Sequence, residues 1–198
     1  RPSMDRSLSL QSPRFELATF AALAAVMLIT RTHSLSHLVH LPDTSLASFF
    51  VLGYLVRRPI AFAGLFLLGF AIDVVKIYVF GGSGFCFTPT YWMLVPACGV
   101  MWLAGRFAAE HFGERLSALP AAAALVVGAA FVSNLFSSGG FYFLGGRYPD
   151  PPVAEFLPRI QRYFPGTLLA TLLWSGVAAV LYAALLTARP GLRRGAAK

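Results

Sequence analysis

The sequence predicts an all-α integral membrane protein, a bundle of six transmembrane helices. Hydrophobic residues make up 57% of the chain, charged residues only 12%, and the mean hydropathy is +0.68. A soluble domain carries about 25% charged residues, so water could not cover this much apolar surface. The 198 residues suffice for one compact bundle and contain no long hydrophilic stretch. We therefore expect a single membrane domain over residues 1–198.

Six apolar runs approach the ~20 residues that cross a bilayer, if shorter runs are accepted where a helix tilts. They cover residues 15–30, 46–56, 60–80, 89–105, 119–136 and 165–188. The first run lacks a convincing small-residue cleavage site, so we expect it to be retained as a span. The second run is short, but Asp43-Thr44-Ser45 supplies a helix cap before it and Arg57-Arg58-Pro59 ends it, so we expect a helix there even if it does not span alone.

The basic residues are divided unevenly between the two sides of such a bundle. Six spans place both termini on one side, which then collects eleven of the 16 Lys and Arg residues, against four on the other side. Lys76 lies inside a span. Because Lys and Arg concentrate in cytoplasmic loops, we expect both termini in the cytoplasm. The net charge of +8 then fits contact with anionic membrane lipid and requires no nucleic acid as a partner.

A glycine-rich turn, Gly81-Gly82-Ser83-Gly84, separates the third and fourth spans and leads into Phe85-Cys86-Phe87. Glycines let the backbone turn sharply and approach a ligand closely, and Pro89 suits the first turn of the next helix. The turn would display Cys86 at the outward surface. A thiolate is a soft ligand that selects transition metals, and cobalt would fit. A lone cysteine in a membrane helix is more often a small apolar side chain, which is our prediction for Cys98.

Two charged residues lie inside the third span. Asp73 is about two turns below its outer end, and Lys76 is one turn above Asp73. Charges within a membrane need a partner or a wet cavity. One interpretation is that the two residues simply pair with each other at a spacing of three. Alternatively, Asp73 faces a cavity below the glycine turn, which Tyr91 in the first turn of span four also reaches.

The segment 137–164 is too long for a simple turn, and we expect it to be a loop rich in aromatic residues. These are Phe141, Tyr142, Phe143, Tyr148, Phe156, Tyr163 and Phe164. Long ordered loops are usually functional, and this one would serve as a lid over a large planar ligand, with Arg147 or Arg159 donating hydrogen bonds. An aromatic belt at the membrane interface is the alternative.

Span one also carries small residues of the kind that lets membrane helices approach closely, at Ala18, Ala21, Ala22 and Ala25. This face and three other features make the chain resemble a known family. The other features are the short second helix after Pro42-Asp43-Thr44-Ser45, Asp73 in the third span, and the segment Gly84-Phe85-Cys86-Phe87-Thr88-Pro89-Thr90-Tyr91-Trp92. The family is that of the substrate-binding S-components of energy-coupling-factor (ECF) vitamin transporters. The resemblance covers nearly the whole chain and is closer to the cobalamin-specific BtuM-type proteins of Gram-negative bacteria.

The resemblance implies a six-helix S-component bundle in the bacterial inner membrane that takes up cobalamin (vitamin B12) from the periplasmic side. Cys86 would be an axial ligand of the corrin cobalt and would displace cyanide from cyanocobalamin, which makes it the catalytic residue of any decyanation. The ligand contacts would be Cys86, Asp73, Tyr91, Phe85, Phe87, Tyr142 and Arg159. Cobalamin would be the transported ligand, with no intrinsic cofactor.

The resemblance also implies partners. The alanine face would meet a transmembrane coupling protein driven by two ATPases, and transport would follow by toppling of the whole subunit. The chain cannot supply the ATPase, because it has no G-x-x-x-x-G-K-[ST] phosphate-binding loop.

Other functions fit parts of the sequence. His33, His37 and His40 are spaced to share one helix face and would suit a nickel or cobalt ion uptake subunit, although no fourth ligand lies nearby. A thiol oxidoreductase would need exchange between Cys86 and Cys98, which form no C-x-x-C pair and lie ~18 Å apart along one helix. A purely structural bundle is disfavoured by the buried Asp73 and the displayed Cys86.

Overall fold

The computed structural model describes residues 12–32, 42–81, 84 and 87–188, and these residues are 85% helical with no strand among them. Six α-helices follow one another in this part of the chain: α1 (Pro13–Thr32), α2 (Ser45–Leu55), α3 (Pro59–Tyr78), α4 (Leu94–His111), α5 (Leu119–Asn134) and α6 (Val153–Ala188). Short 3₁₀ helices at Pro89–Met93 and Leu116–Ala118 precede α4 and α5, and a π-helical segment at Leu135–Leu144 continues α5. The predicted all-α class is confirmed.

Five helical stretches are long and apolar enough to cross a membrane. They are Pro13–Arg31, Pro59–Tyr78, Pro89–His111, Leu116–Leu144 and Val153–Ala188. Large apolar side chains point outward from them: Leu17, Ile60, Val153 and Val180 are each more than two-thirds exposed. Apolar residues on the buried and the exposed faces alike are typical of helices surrounded by lipid. The sixth helix, α2, has 11 residues and is shorter than a span.

The short helix α2 is buried by close contact with α4. A Cβ atom on Gly53 would overlap the carbonyl oxygen of Trp102, and one on Gly105 would overlap the carbonyl oxygen of Phe50. Both glycines therefore let the two backbones touch, a role that small residues often have between membrane helices. Isolated helices of this length are marginal, so α2 owes its stability to burial.

Helices α1 and α3 run in the same direction and are joined by an ion pair near each end. Arg58 Nε lies 2.8 Å from Glu16 Oε2, and Arg31 NH1 lies 2.8 Å from Asp73 Oδ2. In both pairs the partners are 42 residues apart, so the helices keep one register over ~22 Å. We call the end of the bundle with Arg31 and Asp73 the network end, and the end with Glu16 and Arg58 the opposite end.

Hydroxyl groups of two tyrosines tie the opposite end together. Tyr54 of α2 donates to the carbonyl oxygen of Gly113 at 2.7 Å, and Tyr182 of α6 donates to Glu114 Oε1 at 2.9 Å. Both acceptors lie in the turn between α4 and α5. An apolar cavity of about 190 Å³ lies beside them, between α2, α4, α5 and α6, with Ser175 among its lining residues.

The expectation of a loop over residues 137–164 is wrong, because only 145–152 are irregular. The π-helical segment runs on to Leu144, and α6 already begins at Val153. Gly139 and Gly140 do not end the helix, because Phe156 and Met93 pack against them. Prolines 158 and 165 stay inside α6. Membrane bundles tolerate such prolines because neighbouring helices and hydroxyl side chains form hydrogen bonds with the backbone groups that proline leaves unpaired.

Other predicted bounds need smaller corrections. Spans 15–30, 46–56 and 60–80 differ from α1, α2 and α3 by at most two residues at each end. Span 89–105 begins with the 3₁₀ helix and continues to His111, span 119–136 continues into the π-helical segment, and span 165–188 is only the second part of α6. The errors fall where glycine, proline or charge suggested an end but packing continues the helix.

Candidate functional site

The network end is organised around the carboxylate of Asp73. Arg31 NH1 and the Tyr91 hydroxyl both donate to Asp73 Oδ2 at 2.8 Å. Arg31 also donates from Nε to Ser45 Oγ at 2.8 Å and from NH1 to the carbonyl oxygen of Gly69 at 3.2 Å. Side chains from α1, α2, α3 and the 3₁₀ helix before α4 therefore meet in one hydrogen-bonded cluster, which we call the Asp73 network.

The ion-pair partner of Asp73 is Arg31 and not Lys76, so the pair expected within α3 is not the one that forms. The side chains of Arg31 and Asp73 are only 19% and 27% exposed. Their attraction is therefore less screened than that of a surface pair. Of the alternative expectation, that Asp73 faces a cavity that Tyr91 also reaches, the contact with Tyr91 is present, but Asp73 itself is not among the residues that line the cavity described below.

Asp43 and the start of α2 add a second layer to the network. Asp43 Oδ1 accepts from the hydroxyl and the backbone N–H of Ser45, at 2.7 and 3.2 Å, and lies 3.9 Å from Arg31 Nε. Thr30 and Thr44 share a hydrogen bond of 2.9 Å between their hydroxyls. The helix α2 therefore begins where a cap was predicted, but its N-cap residue, Thr44, makes no side-chain cap hydrogen bond, and Asp43 accepts from the Ser45 backbone instead. The contact between Thr30 and Thr44 also holds the end of α1 against α2.

A cavity of about 210 Å³ opens beside the network. Its lining includes Arg31, Asp43, Ser45 and Tyr91 on one part and Ser133, Asn134, Ser137, Ser138 and Thr167 on another. Cys98 packs in the core, as expected for a small apolar side chain, and it also lines this cavity. The cavity thus combines a charged pair, a thiol and several hydroxyls within a largely apolar bundle.

An aromatic group packs beside the network on the side of Tyr91. The ring of Tyr91 lies 4.9 Å from that of Phe87 and 5.4 Å from that of Phe70, and Phe70 stacks on Trp92 at 5.7 Å. Phe87 is thereby held against a member of the Asp73 network. Cys86 and Phe85 lie outside the described residues, but Cys86 is the covalent neighbour of Phe87.

Tyr142 and Arg159 lie together in a second group, and neither lines the cavity. The Arg159 guanidinium lies over the rings of Tyr148, Tyr142 and Tyr163, at 4.8, 5.1 and 5.9 Å from their centroids. Tyr142 is 2% exposed and stacks on Phe156 at 5.6 Å. This is a cation–π cluster, which we call the Arg159 cluster, between the π-helical segment and the first turns of α6.

The remaining candidates have separate positions. Ala18, Ala21, Ala22 and Ala25 are all exposed along one face of α1. His33, His37 and His40 lie outside the described residues, and within the described ranges no three His, Cys, Asp or Glu side chains are grouped to hold a metal ion.

The sequence analysis overlooked the polar wall at the end of α5. Ser133, Asn134, Ser137 and Ser138 fall one helical turn apart inside an apolar run, so they share one face. That spacing was a usable signal for a polar cavity. It was missed because the run was expected to end at residue 136.

No protein-family model matches the chain, and no curated protein matches it either.

Proposed function

We propose that this protein binds cobalamin and takes it up across the bacterial inner membrane, as an S-component of the ECF type. One observation carries the proposal: Asp73 and Tyr91 share a 2.8 Å hydrogen bond, and the Tyr91 ring packs on Phe87, the covalent neighbour of Cys86. Three of the residues that the resemblance assigns to the ligand, Asp73, Tyr91 and Phe87, thus lie together, whereas Tyr142 and Arg159 belong to the separate Arg159 cluster.

The chemistry of the site suits a large amphipathic ligand rich in amides. Ligand pockets usually combine apolar walls with a few placed polar groups, and here aromatic rings surround one ionic network. The cavity of about 210 Å³ is smaller than a corrin ring. The ring would therefore lie at the cavity mouth, below the glycine turn, with one of its amide arms inside the cavity. The Arg159 cluster, next to the irregular segment 145–152, would flank it.

Cys86 would bind cobalt by ligand exchange. The thiol loses its proton, the thiolate sulfur forms a bond to Co(III), and the cobalt–cyanide bond breaks with its electron pair leaving on cyanide. The proton and cyanide leave as HCN, and the oxidation state of cobalt does not change. The specificity for a transition-metal ligand would come from the softness of sulfur.

The exposed alanines of α1 would serve as the contact with a coupling protein that carries two ATPases, with both termini in the cytoplasm and the network end facing the periplasm. Small exposed side chains permit close helix approach in a membrane. This chain would then provide substrate binding, and its partner the energy.

The deciding experiment is a visible absorption spectrum of detergent-purified protein after incubation with cyanocobalamin and removal of free ligand. Wild type should retain corrin with a shifted spectrum, and Cys86→Ala should lose the shift. Cys98→Ala is the matched control, because it removes the buried thiol of α4, and it should keep the shift.

Three results would contradict parts of the proposal. If wild type retains no corrin, the cobalamin function is wrong, and the histidine-based ion uptake becomes the hypothesis to test. If Cys86→Ala and wild type bind with the same unshifted spectrum, cobalamin binds but Cys86 is not its ligand. If Cys98→Ala alone loses the shift, the thiol ligand is the wrong cysteine.

A further inference from the structure

We infer that Ser133 and Asn134 form a subsite for a primary carboxamide group at the inner wall of the cavity. The inference rests on the proposed function, because cobalamin carries such groups around its corrin ring. It assigns a role to two residues at the junction of α5 and the π-helical segment, on the wall that also carries Ser137 and Ser138.

Two unpaired polar atoms mark this wall. Ser133 is fully buried and Asn134 is 6% exposed, and among the described residues neither the Ser133 hydroxyl nor Asn134 Oδ1 has a hydrogen-bond partner. A buried polar atom without a partner costs about 1–3 kcal/mol, so nearly all such atoms in proteins are paired. Both residues line one cavity, so a polar group inside it would supply the partners that these two atoms lack.

The other polar groups of the wall already have partners. Ser137 Oγ donates to the carbonyl oxygen of Ser133 at 3.0 Å, and Asn134 Nδ2 donates to Ser138 Oγ at 3.1 Å. The second bond orients the Asn134 amide, so its oxygen is the end left without a partner. Ser133 and Asn134 are therefore the pair that the occupant completes.

The chemistry of the pair selects among occupants. Asn134 Oδ1 only accepts hydrogen bonds, whereas the Ser133 hydroxyl can donate. A primary carboxamide offers an N–H to the first and a carbonyl oxygen to the second. A carboxylate offers acceptors alone and leaves Asn134 Oδ1 unpaired. Arg31 would not attract a carboxylate here strongly, because Asp73 already neutralises its charge at 2.8 Å.

The test compares cyanocobalamin with derivatives in which one peripheral carboxamide at a time is hydrolysed to a carboxylate. Wild type should bind one of these monocarboxylates roughly threefold to tenfold more weakly than cyanocobalamin, the effect of one lost neutral hydrogen bond. Ser133→Ala should bind cyanocobalamin more weakly by a similar factor. It should also distinguish less well between cyanocobalamin and that monocarboxylate, because the protein change and the ligand change are coupled in a double-mutant cycle. Asn134→Leu, which keeps the side-chain size, should behave in the same way.

Ser175→Ala is the matched control. The Ser175 hydroxyl is likewise buried without a partner among the described residues, but Ser175 lines the apolar cavity at the opposite end. Its affinity and discrimination should equal those of wild type.

The subsite is overturned if wild type binds every monocarboxylate as tightly as cyanocobalamin, or if Ser133→Ala behaves as Ser175→Ala does, since the wall then binds only water. In either case a shifted corrin spectrum in wild type leaves the proposed function standing. If wild type retains no corrin at all, the proposed function fails and the subsite fails with it.

Discussion

Asp73 accepts hydrogen bonds from a guanidinium and a phenol at the same oxygen atom, so a single carboxylate holds three parts of the chain together. Arg31 comes from α1, Tyr91 from the 3₁₀ helix before α4, and Asp73 from α3. Because the pair is largely buried, the loss of one partner leaves the other charge poorly solvated.

Asp73→Asn should lower the free energy of unfolding by about 2–4 kcal/mol, somewhat less than for a fully buried pair because Asp73 keeps some exposure. The measurement is unfolding by SDS in mixed detergent micelles. Lys76→Gln is the control on the same helix and should change the free energy little. The double variant Arg31→Gln, Asp73→Asn should lose less than the sum of the single variants. Equal effects of Asp73→Asn and Lys76→Gln would contradict the Arg31 pairing.

Tyr91→Phe removes one hydrogen bond to a charged acceptor and leaves the ion pair intact. We expect the free energy of unfolding to fall by about 1.5–3 kcal/mol. Tyr78→Phe is the matched control, because Tyr78 is 75% exposed, and it should be neutral in the same micelle assay. A neutral Tyr91→Phe would show that the 2.8 Å contact does not stabilise the fold.

At this scale the sequence predicted part of the candidate site. The inward position of Asp73 and its nearness to Tyr91 followed from helical spacing and the cost of a buried charge. The role of Arg31 did not follow, because helical spacing relates residues a few positions apart, whereas this contact joins α1 to α3 across 42 residues. Arg31 was predicted only to be one of the four basic residues on the side opposite the termini.

Among the elements, α2 depends most on its neighbours. It is too short to be stable by itself, and its contact with α4 requires the absence of a side chain at Gly53 and Gly105. Ser45, the first residue of α2, accepts a hydrogen bond from Arg31. The glycine contact that holds α2 against α4 therefore also supports the Asp73 network.

Gly105→Ala should be strongly destabilising, by about 3 kcal/mol or more, because its Cβ would overlap the backbone of Phe50 and force α2 away from α4. Gly99→Ala is the control on the same helix. A Cβ there meets nothing within 4 Å, and alanine favours the helix, so stability should stay equal or rise. Thermal unfolding in detergent measures both. Similar melting temperatures for the two variants would refute the close α2–α4 contact.

Element type was easier to predict than element length. Apolar runs identify helices in a membrane because unpaired backbone groups are too costly there. Their ends are set by packing that no local pattern shows. Gly139-Gly140 and Pro165 are breakers in isolation, yet Phe156 and Met93 pack on the glycines and the helix continues.

At the scale of the whole molecule, the property to test is which end of the bundle faces the cytoplasm. The count of basic residues predicts that the opposite end lies there. In a background of Cys86→Ala and Cys98→Ala, the Asp150→Cys variant should react with a membrane-impermeant maleimide on intact cells. The Ser117→Cys variant, in the turn between α4 and α5, should react only after the cells are opened. The reverse labelling pattern would invert the proposed orientation.

The distance between the two ion pairs of α1 and α3 gives the depth of the network once one membrane boundary is assigned. They are ~22 Å apart, whereas the hydrocarbon layer is ~30 Å thick. If Glu16 and Arg58 lie at one boundary of the hydrocarbon layer, Asp73 lies ~8 Å inside the other boundary. Between Asp73 and the end of this stretch, the chain continues with the exposed side chains of Val75, Tyr78 and Phe80.

A ligand that reaches the network therefore crosses about a quarter of the transmembrane voltage. For each unit of ligand charge, 100 mV then changes the binding free energy by about 0.6 kcal/mol, roughly threefold in affinity. A neutral ligand would bind independently of voltage. Binding to vesicles with an imposed potential would thus report the net charge of the species that the protein holds.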